Sequence, residues 1–525
     1  MRILDLSQEE TKKAIRTGEI LVSVVGLGRI GLPLAVLIAN EGGHVVGCDK
    51  LEDHVNKINS GETSFLDYDV SDLFEVGANM VDASCPTCGV RLFKTSSDTF
   101  CPYCGRLATV DEYGVHLKGE RAPVHQKIME SCKRLESRLR QALEKGFYAT
   151  TKTTDEVVKS NVTIITVGTP VDENNFPDYT ALKDASHAVG KGLQKDSLVV
   201  LKSTVAPGTT EGMVKPILES ESGLSAGSDF GLSFMPETVY EGQTLHDLQT
   251  LPRIVGGVTK RCAQATANIF SIFPAPIHLF ESPSTVEAAK LFMNIYRDTN
   301  IALVNEFALI GEKLNIDVIK AISAANVERK THLLMPGLVG GYCLPNDTYH
   351  LVRPAEGAGY SPRLITVARE LNRDISDHIL ELVDKVFEEM NIPIVDEKVA
   401  VLGLGFKANN GSLRNTQAIP IVEGLKKRGA LVVAHDPFVR LDEVVKVLPN
   451  LKCVNRYEEV LREARCAVII TDHSTYIGFT TGSMKKFMLQ PCAIVDTRQI
   501  IDPKEAASEG VIFRGFGKPE FLKRR

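Results

Sequence analysis

The segment GLGRIGLP at 26–33 constrains this chain more than any other stretch. Gly26, Gly28 and Gly31 stand in G-x-G-x-x-G spacing, after an apolar run at 19–25 and before the helical pattern LPLAVLIANEG. In such a strand–turn–helix unit the first glycine permits a tight turn. The second lets a phosphate group approach the backbone, and the third lets helix and strand pack closely. The helix N-terminus adds partial positive charge. A second apolar run, HVVGC, ends at Asp49, 18 residues after Gly31. A carboxylate there accepts hydrogen bonds from ribose hydroxyls and repels a 2′-phosphate, so the expected dinucleotide is NAD rather than NADP.

The rhythm of apolar run and helix continues at VTIITVG (162–168) and SLVVLKS (197–203), which predicts a parallel sheet with crossover helices. Roughly 60 residues between Leu66 and Ile128 interrupt it and read as an insertion. Ser7 and Glu10 form a candidate capping box for a first helix. Residues 283–315 read as one long helix, with Pro283 in its first turn and Ser284 and Glu287 as a second candidate box. Strands then resume at 398–402, 430–436, 466–472 and 492–497. The expected fold class is α/β: two Rossmann-like doubly wound domains joined by a long central helix, with a zinc-ribbon insertion in the N-terminal domain. The expected boundaries are 1–235, 236–392 and 393–525, with the ribbon at 80–118. A partial second fingerprint, GLGFKA, supplies Gly403, Gly405 and Ala408, with Asp436 somewhat further on than the fingerprint distance. On motif grounds a plain strand–helix turn with an exposed Lys407 competes evenly with a second nucleotide site.

Length and balance of residues exclude several classes. A chain of 525 residues with 43% hydrophobic and 24% charged residues suits about three globular domains. A net charge of -6 offers no global basic field, so neither nucleic acid nor an anionic membrane is an expected partner. The first twenty residues lack the apolar core of a secretory signal, no apolar run is long enough to span a bilayer, and the expected location is cytoplasmic.

Eleven cysteines are too few for a disulfide scaffold in a chain this long. Four of them form two C-P-x-C-G knuckles, Cys85/Cys88 and Cys101/Cys104, separated by twelve residues. Four thiolates suit a closed, tetrahedral, structural zinc ion, with iron as the minority metal. Cys343 differs: it lies in the glycine-rich loop MPGLVGGYCLPND with no second cysteine nearby. It reads either as a buried inert thiol or as a nucleophile. Cys48, Cys132, Cys262, Cys453, Cys466 and Cys492 read as small core residues.

Lys290, Asn294, Arg297 and Ile301 share one face of the long helix. That face is either a solvated stripe or a set of groups able to orient an oxyanion and a water. Glu237, after the predicted strand LSFM, reads as a turn carboxylate or a catalytic one.

Taken in order, GLGRIGLPLA, VGTPVDENNFPDYTAL, KSTVAPGTTE, FMPETVYEGQTLHDL, EAAKLFMNIYRDTN, GLVGGYCLPND, GLGFK, HDPFV and VDTR resemble the UDP-glucose/GDP-mannose dehydrogenase family. The resemblance implies oxidation of a sugar C6 alcohol to a carboxylate with two NAD and one water. It implies Cys343 as the nucleophile that captures the aldehyde, with Asp347 supporting its base chemistry. Lys290 and Asn294 would stabilise oxyanions and bind substrate, and Glu237 would assist thioester hydrolysis. Thr169, Pro170 and Thr204 would line the nicotinamide end of NAD. Lys407 would contact the nucleotide sugar, and Arg329 or Lys330 would reach it across a homodimer formed through the long central helix. The stretch RDTNIALVNEFALIGEKLNID resembles the branch acting on N-acetylhexosamine nucleotides, which implies UDP-N-acetyl-D-mannosamine as substrate. UDP-glucose, UDP-N-acetylglucosamine and GDP-mannose are the alternatives.

Tyr342 stands where that branch commonly has His, and Asn410, Gly411 and Ser412 replace a frequent Thr-Asp-Asp run, although Arg414 is kept. Two other readings compete. One is a two-electron hydroxyacid dehydrogenase, which needs no nucleophilic cysteine. The other is a binding or regulatory protein acting through its zinc ribbon.

Overall fold

The computed structural model describes residues 2–63, 79–84, 91–94, 99–100, 106–111, 114–121, 134–239, 244–473, 475–476 and 478–519. By contact the chain groups into two units. The first comprises residues 1–67, 131–295 and 346–362; the second comprises 68–130, 296–345 and 363–525.

The first unit is built on an eight-stranded sheet. Its strands are β1 (Leu21–Val25) and β2 (His44–Cys48), then β8 (Tyr148–Thr150), β9 (Val162–Ile165), β10 (Leu198–Leu201), β11 (Gly231–Phe234), β12 (Arg253–Gly257) and β13 (Ile277–Phe280). The order is β13-β12-β11-β10-β9-β1-β2-β8. All pairs are parallel except β11 with β12. Each of β9, β10 and β11 is buried along its whole length, so its Val, Ile and Leu side chains pack on both faces, as a helix-covered parallel sheet requires. Helix α1 (Gln8–Arg16) starts with the expected capping box, Ser7 and Glu10 each satisfying the other's backbone N–H. Helix α2 (Gly31–Asn40) is buried from Gly31 to Ala39.

The insertion contributes β3 (Asn79–Ser84), β4 (Arg91–Lys94), β5 (Thr99–Phe100), β6 (Arg106–Asp111) and β7 (Gly114–Arg121), paired antiparallel in sequence order. Cys85, Cys88, Cys101 and Cys104 lie outside the described residues, as does Cys132.

The second unit carries a six-stranded, fully parallel sheet: β14 (Lys398–Leu402), β15 (Leu431–His435), β16 (Lys452–Val454), β17 (Cys466–Ile469), β18 (Ala493–Asp496) and β19 (Ile512–Gly515). Its order, β16-β15-β14-β17-β18-β19, reverses direction beside the first strand, the doubly wound signature. Around the same reversal the first unit places β8-β2-β1-β9-β10-β11 in the matching order.

Two helices complete the parts that position the site, α3 (Pro283–Leu314) and α4 (Cys343–Gly357), and α5 (Arg363–Met390) follows them. The expected capping box of α3 is not the one that forms. The Ser282 hydroxyl accepts the Thr285 N–H at 3.2 Å. Glu287 is instead fully buried, taking the backbone N–H groups of Gly208 at 2.6 Å and Thr210 at 2.8 Å. Three-residue spacing cannot tell a cap from a carboxylate facing a neighbouring loop.

Candidate active site

The fingerprint turn shows why each glycine is needed. Gly26 adopts φ +94°, a left-handed conformation costly for other residues. A Cβ on Gly31 would lie 1.9 Å from the Gly26 carbonyl oxygen and 2.5 Å from Thr166 Oγ1, so only hydrogen fits between helix and strand. A Cβ on Gly28 would meet nothing within 4 Å. Gly28 therefore faces open space, and what it keeps free is room for a ligand. A cleft of about 700 Å³ opens there, lined among others by Gly26, Gly28, Asp49, Thr153, Gly168 and Asp184. The Asp49 carboxylate accepts the N–H of Leu27 at 2.8 Å and of Leu51 at 3.1 Å. Each oxygen keeps a lone pair for a ribose hydroxyl.

The polar residues of the first unit gather at the carboxyl ends of β9, β10 and β11, where open parallel sheets bind ligands. Leu201 is in register with Phe234, which brings Lys202, just past β10, near Glu237, just past β11. Lys202 is buried, its Nζ 3.2 Å from Glu237 Oε2 and 3.4 Å from the carbonyls of Met235 and Pro236. Burial lowers the Lys202 ammonium's pKa, against the pull of the Glu237 carboxylate. Glu237 Oε1 accepts the N–H groups of Thr238 and Val239 at 2.8 and 3.1 Å. Glu237 is thus a fixed, partly buried carboxylate rather than a loose turn side chain.

Lys290 and Asn294 are buried at 6% and 2% exposure, which rejects the solvated-stripe reading for these two. Asn294 Nδ2 donates to Asp347 Oδ2 at 2.5 Å, joining α3 to α4. Lys290 lies one turn before Asn294, close enough that its charge weighs on Lys202. Thr169 Oγ1 donates to the Thr204 carbonyl at 2.6 Å, tying together the loops that leave β9 and β10.

Cys343 is exposed and is the first residue of α4, one turn before Asp347. Among the other described cysteines, Cys48, Cys262, Cys466 and Cys492 are buried, and burial pushes the Cys48 thiol up to about 12. The Cys343 loop is held within the second unit. The Gly341 N–H donates to the Arg414 carbonyl at 3.0 Å, and Asn415 Nδ2 donates to the Gly341 carbonyl at 3.1 Å. A Cβ on Gly341, which adopts φ +85°, would fall 2.6 Å from the Phe406 ring. The Arg414 guanidinium lies 5.6 Å from the Tyr342 ring centre, a cation–π contact that His would make less well. Lys407 follows Phe406 and is partly buried, while Arg329 and Lys330 occupy an exposed turn.

Asp436 directly follows β15, as Asp49 follows β2, and its carboxylate takes the N–H groups of Leu404 and Gly405 at 2.7 and 2.9 Å. It is therefore the structural counterpart of Asp49, although the sequence distance suggested otherwise. Here, however, the carboxylate is buried against His473 Nε2 at 3.0 Å, which removes it from ligand. Lys202 and His350 are polar groups that sequence reasoning left unassigned, and Glu287 was read only as part of a helix cap. Lys202 alone carried a signal, a cation ending the apolar run SLVVLKS.

Comparison with known proteins settles the family. The NAD binding domain of the UDP-glucose/GDP-mannose dehydrogenase family matches residues 20–83 and 122–274, its central domain 284–374 and its UDP binding domain 400–503. A UDP-N-acetyl-D-mannosamine dehydrogenase of Pyrococcus horikoshii is 30% identical over 499 residues, 95% of this chain and 99% of that one. The chain belongs to the UDP-glucose/GDP-mannose dehydrogenase family. Membership makes it an NAD-dependent dehydrogenase, and the cleft at Gly28 falls within the NAD binding domain. A UDP-N-acetyl-D-glucosamine 6-dehydrogenase of Pseudomonas aeruginosa is 34% identical over 342 residues, covering 65% of this chain and 80% of that one. The solved UDP-D-ManNAc dehydrogenase from Pyrococcus horikoshii superposes with TM-score 0.74 at 30% identity, covering 95% and 99% of the two chains. Residues 69–105 separately match the Sjogren's syndrome/scleroderma autoantigen 1 (autoantigen p27) family. Among the described residues no cluster able to hold a metal occurs, and no helix is long and apolar enough to cross a membrane.

Proposed function

We propose that this enzyme oxidises the C6 alcohol of UDP-N-acetyl-D-mannosamine to the uronate in two NAD-dependent steps through a covalent sulfur intermediate. The observation that carries the reading is the pairing of Asn294 with Asp347, one turn from an exposed Cys343 at a helix start. NAD supplies the hydride acceptor in both steps. Backbone N–H groups at a helix N-terminus favour a thiolate. The Cys343 sulfur adds to the C6 aldehyde formed first, giving a thiohemiacetal whose oxygen Lys290 and Asn294 stabilise. Loss of hydride from that carbon gives the thioester. Water, with Glu237 assisting, hydrolyses it to carboxylate and free thiol. Asp347 supports proton transfer around Cys343.

In this reading residues 1–235 hold NAD, 236–392 supply catalytic groups and 393–525 hold the UDP portion, with Lys407 on the sugar side. Thr169 and Thr204 bound the nicotinamide end. The substrate choice is supported by a mannosamine enzyme matching nearly end to end at 30% identity. Dependence on NAD and a nucleotide sugar suits the cytoplasm, where both are available.

A homodimer through α3 is supported by its surface. Phe292, Tyr296, Leu303, Phe307, Ile310 and Leu314 are all exposed and, at 100° per residue, fall within about 60° of one helix face. Arg329 would then reach substrate across the interface. The four ribbon cysteines would hold one structural zinc; metal analysis should find one zinc per chain, lost in a Cys85→Ser/Cys101→Ser variant.

The decisive assay supplies a panel of UDP- and GDP-sugars and counts NADH. Two NADH per UDP-N-acetyl-D-mannosamine, and no uronate from Cys343→Ser with NAD binding intact, are expected. One NADH per sugar would replace this reading with the hydroxyacid-dehydrogenase type.

A further inference from the structure

Helix α4 carries three polar groups at spacings of four and three: Cys343, Asp347 and His350. His350 is 1% exposed and so far has no task. Its Nε2 lies 3.1 Å from the Thr169 carbonyl oxygen, and its Nδ1 lies 2.9 Å from the Tyr179 hydroxyl. A carbonyl only accepts, so Nε2 bears the hydrogen. Burial pushes His350 down to about 4, so the ring is neutral near pH 7 and Nδ1 accepts the Tyr179 O–H. The hydroxyl oxygen in turn takes the Ala206 N–H at 2.8 Å. Thr169 then donates its own hydroxyl to the Thr204 carbonyl. Each hydrogen in the relay Ala206, Tyr179, His350, Thr169, Thr204 thus has one direction. Burial, the largest influence on Tyr179, pushes its phenol up to about 12, so it remains a donor throughout the neutral range.

We infer that His350 and Tyr179 are positioning residues that fasten the helix bearing Cys343 to the two loops leaving β9 and β10, and that this register governs hydride transfer. The inference rests on Cys343 as nucleophile and on those loops as bounding the hydride acceptor. A hydroxyl whose hydrogen is donated to the ring, and an imidazole with both nitrogens engaged, have no proton to exchange with substrate. Their contribution is geometric, and displacement of reacting groups by about 1 Å can cost on the order of a hundredfold in rate.

Steady-state kinetics with C6-protiated and C6-deuterated substrate tests it. Tyr179→Phe, which removes one oxygen, should lower kcat at least about tenfold, with a larger isotope effect and KM for NAD within about threefold. His350→Leu should do the same. The Tyr179→Phe/His350→Leu double variant should be no slower than the slower single, because both break one relay. His350→Gln, which keeps a donor toward Thr169, should recover part of the rate. A folded Tyr179→Phe enzyme with kcat within twofold of wild type, or losses that multiply in the double variant, would overturn the inference. If His350→Leu does not fold, Tyr179→Phe alone decides. Cys343→Ser separates the two claims: normal uronate formation there defeats the covalent reading, whereas a dead Cys343→Ser beside a normal Tyr179→Phe defeats only the relay.

Discussion

Gly28 and Gly31 look equivalent in the fingerprint, yet the structure gives them different tasks. Gly31→Ala should destabilise the first unit, because its methyl would collide with the Gly26 carbonyl. Gly28→Ala should melt within a few degrees of wild type and still lose at least about tenfold in NAD affinity, since its methyl enters only open cleft. Calorimetry of both variants checks this, and equal melting losses would refute the division. Asp49→Asn should narrow the preference for NAD over NADP, because the charge that repels a 2′-phosphate is gone; unchanged selectivity counts against the ribose assignment. At this scale the local motif placed the three glycines and Asp49 at the cleft, and it singled out Cys343 among the cysteines as the nucleophile candidate. It gave no partner for Lys202 or His350, whose partners are 35 and 181 residues away. Long-range partners leave no periodic mark, so only the folded chain reveals them.

Among the elements, α3 was the most legible, because 32 residues of helical pattern opened by a proline leave little alternative. What spacing could not supply was which side each residue faces. Glu287, expected to close the helix start, instead binds the loop after β10. The apolar face of α3 yields a prediction of its own. If the proposed homodimer forms through this face, Leu303→Asp/Phe307→Asp should convert it to a monomer in light scattering, since two carboxylates cannot be buried unpaired in a helix–helix interface. An unaltered mass would overturn the proposal of a dimer through α3. The two carboxylates that follow β2 and β15 show how one element pair can serve two ends. Asp49 remains partly exposed at the cleft, whereas Asp436 is sealed against His473 and holds the Gly403–Gly405 turn.

For the whole molecule, alternating apolar runs and helices disclosed both doubly wound sheets, because parallel strands buried on two faces must be continuously apolar. The antiparallel β11–β12 pair was not legible, since strand direction depends on the connection rather than on side-chain pattern. Among the buried histidines, His350 in the first unit and His435 in the second bear on acid stability. Burial first pushes His350 and His435 down to about 4. In the unfolded chain both titrate near 6.5. As pH falls from about 6.5 to about 4, the unfolded chain therefore binds protons that the folded sites refuse. Stability should drop through that window and level below it, by about 3 kcal/mol per histidine. His350→Gln should flatten part of this slope in melting curves taken across the window, and an identical slope would contradict it. The central claim, capture of the half-oxidised sugar on one sulfur, is tested most directly by mass spectrometry of enzyme quenched during turnover. The account predicts a nucleotide-sugar adduct on the peptide containing Cys343 that disappears in Cys343→Ser. Turnover to uronate with that peptide unmodified at every time point would contradict it.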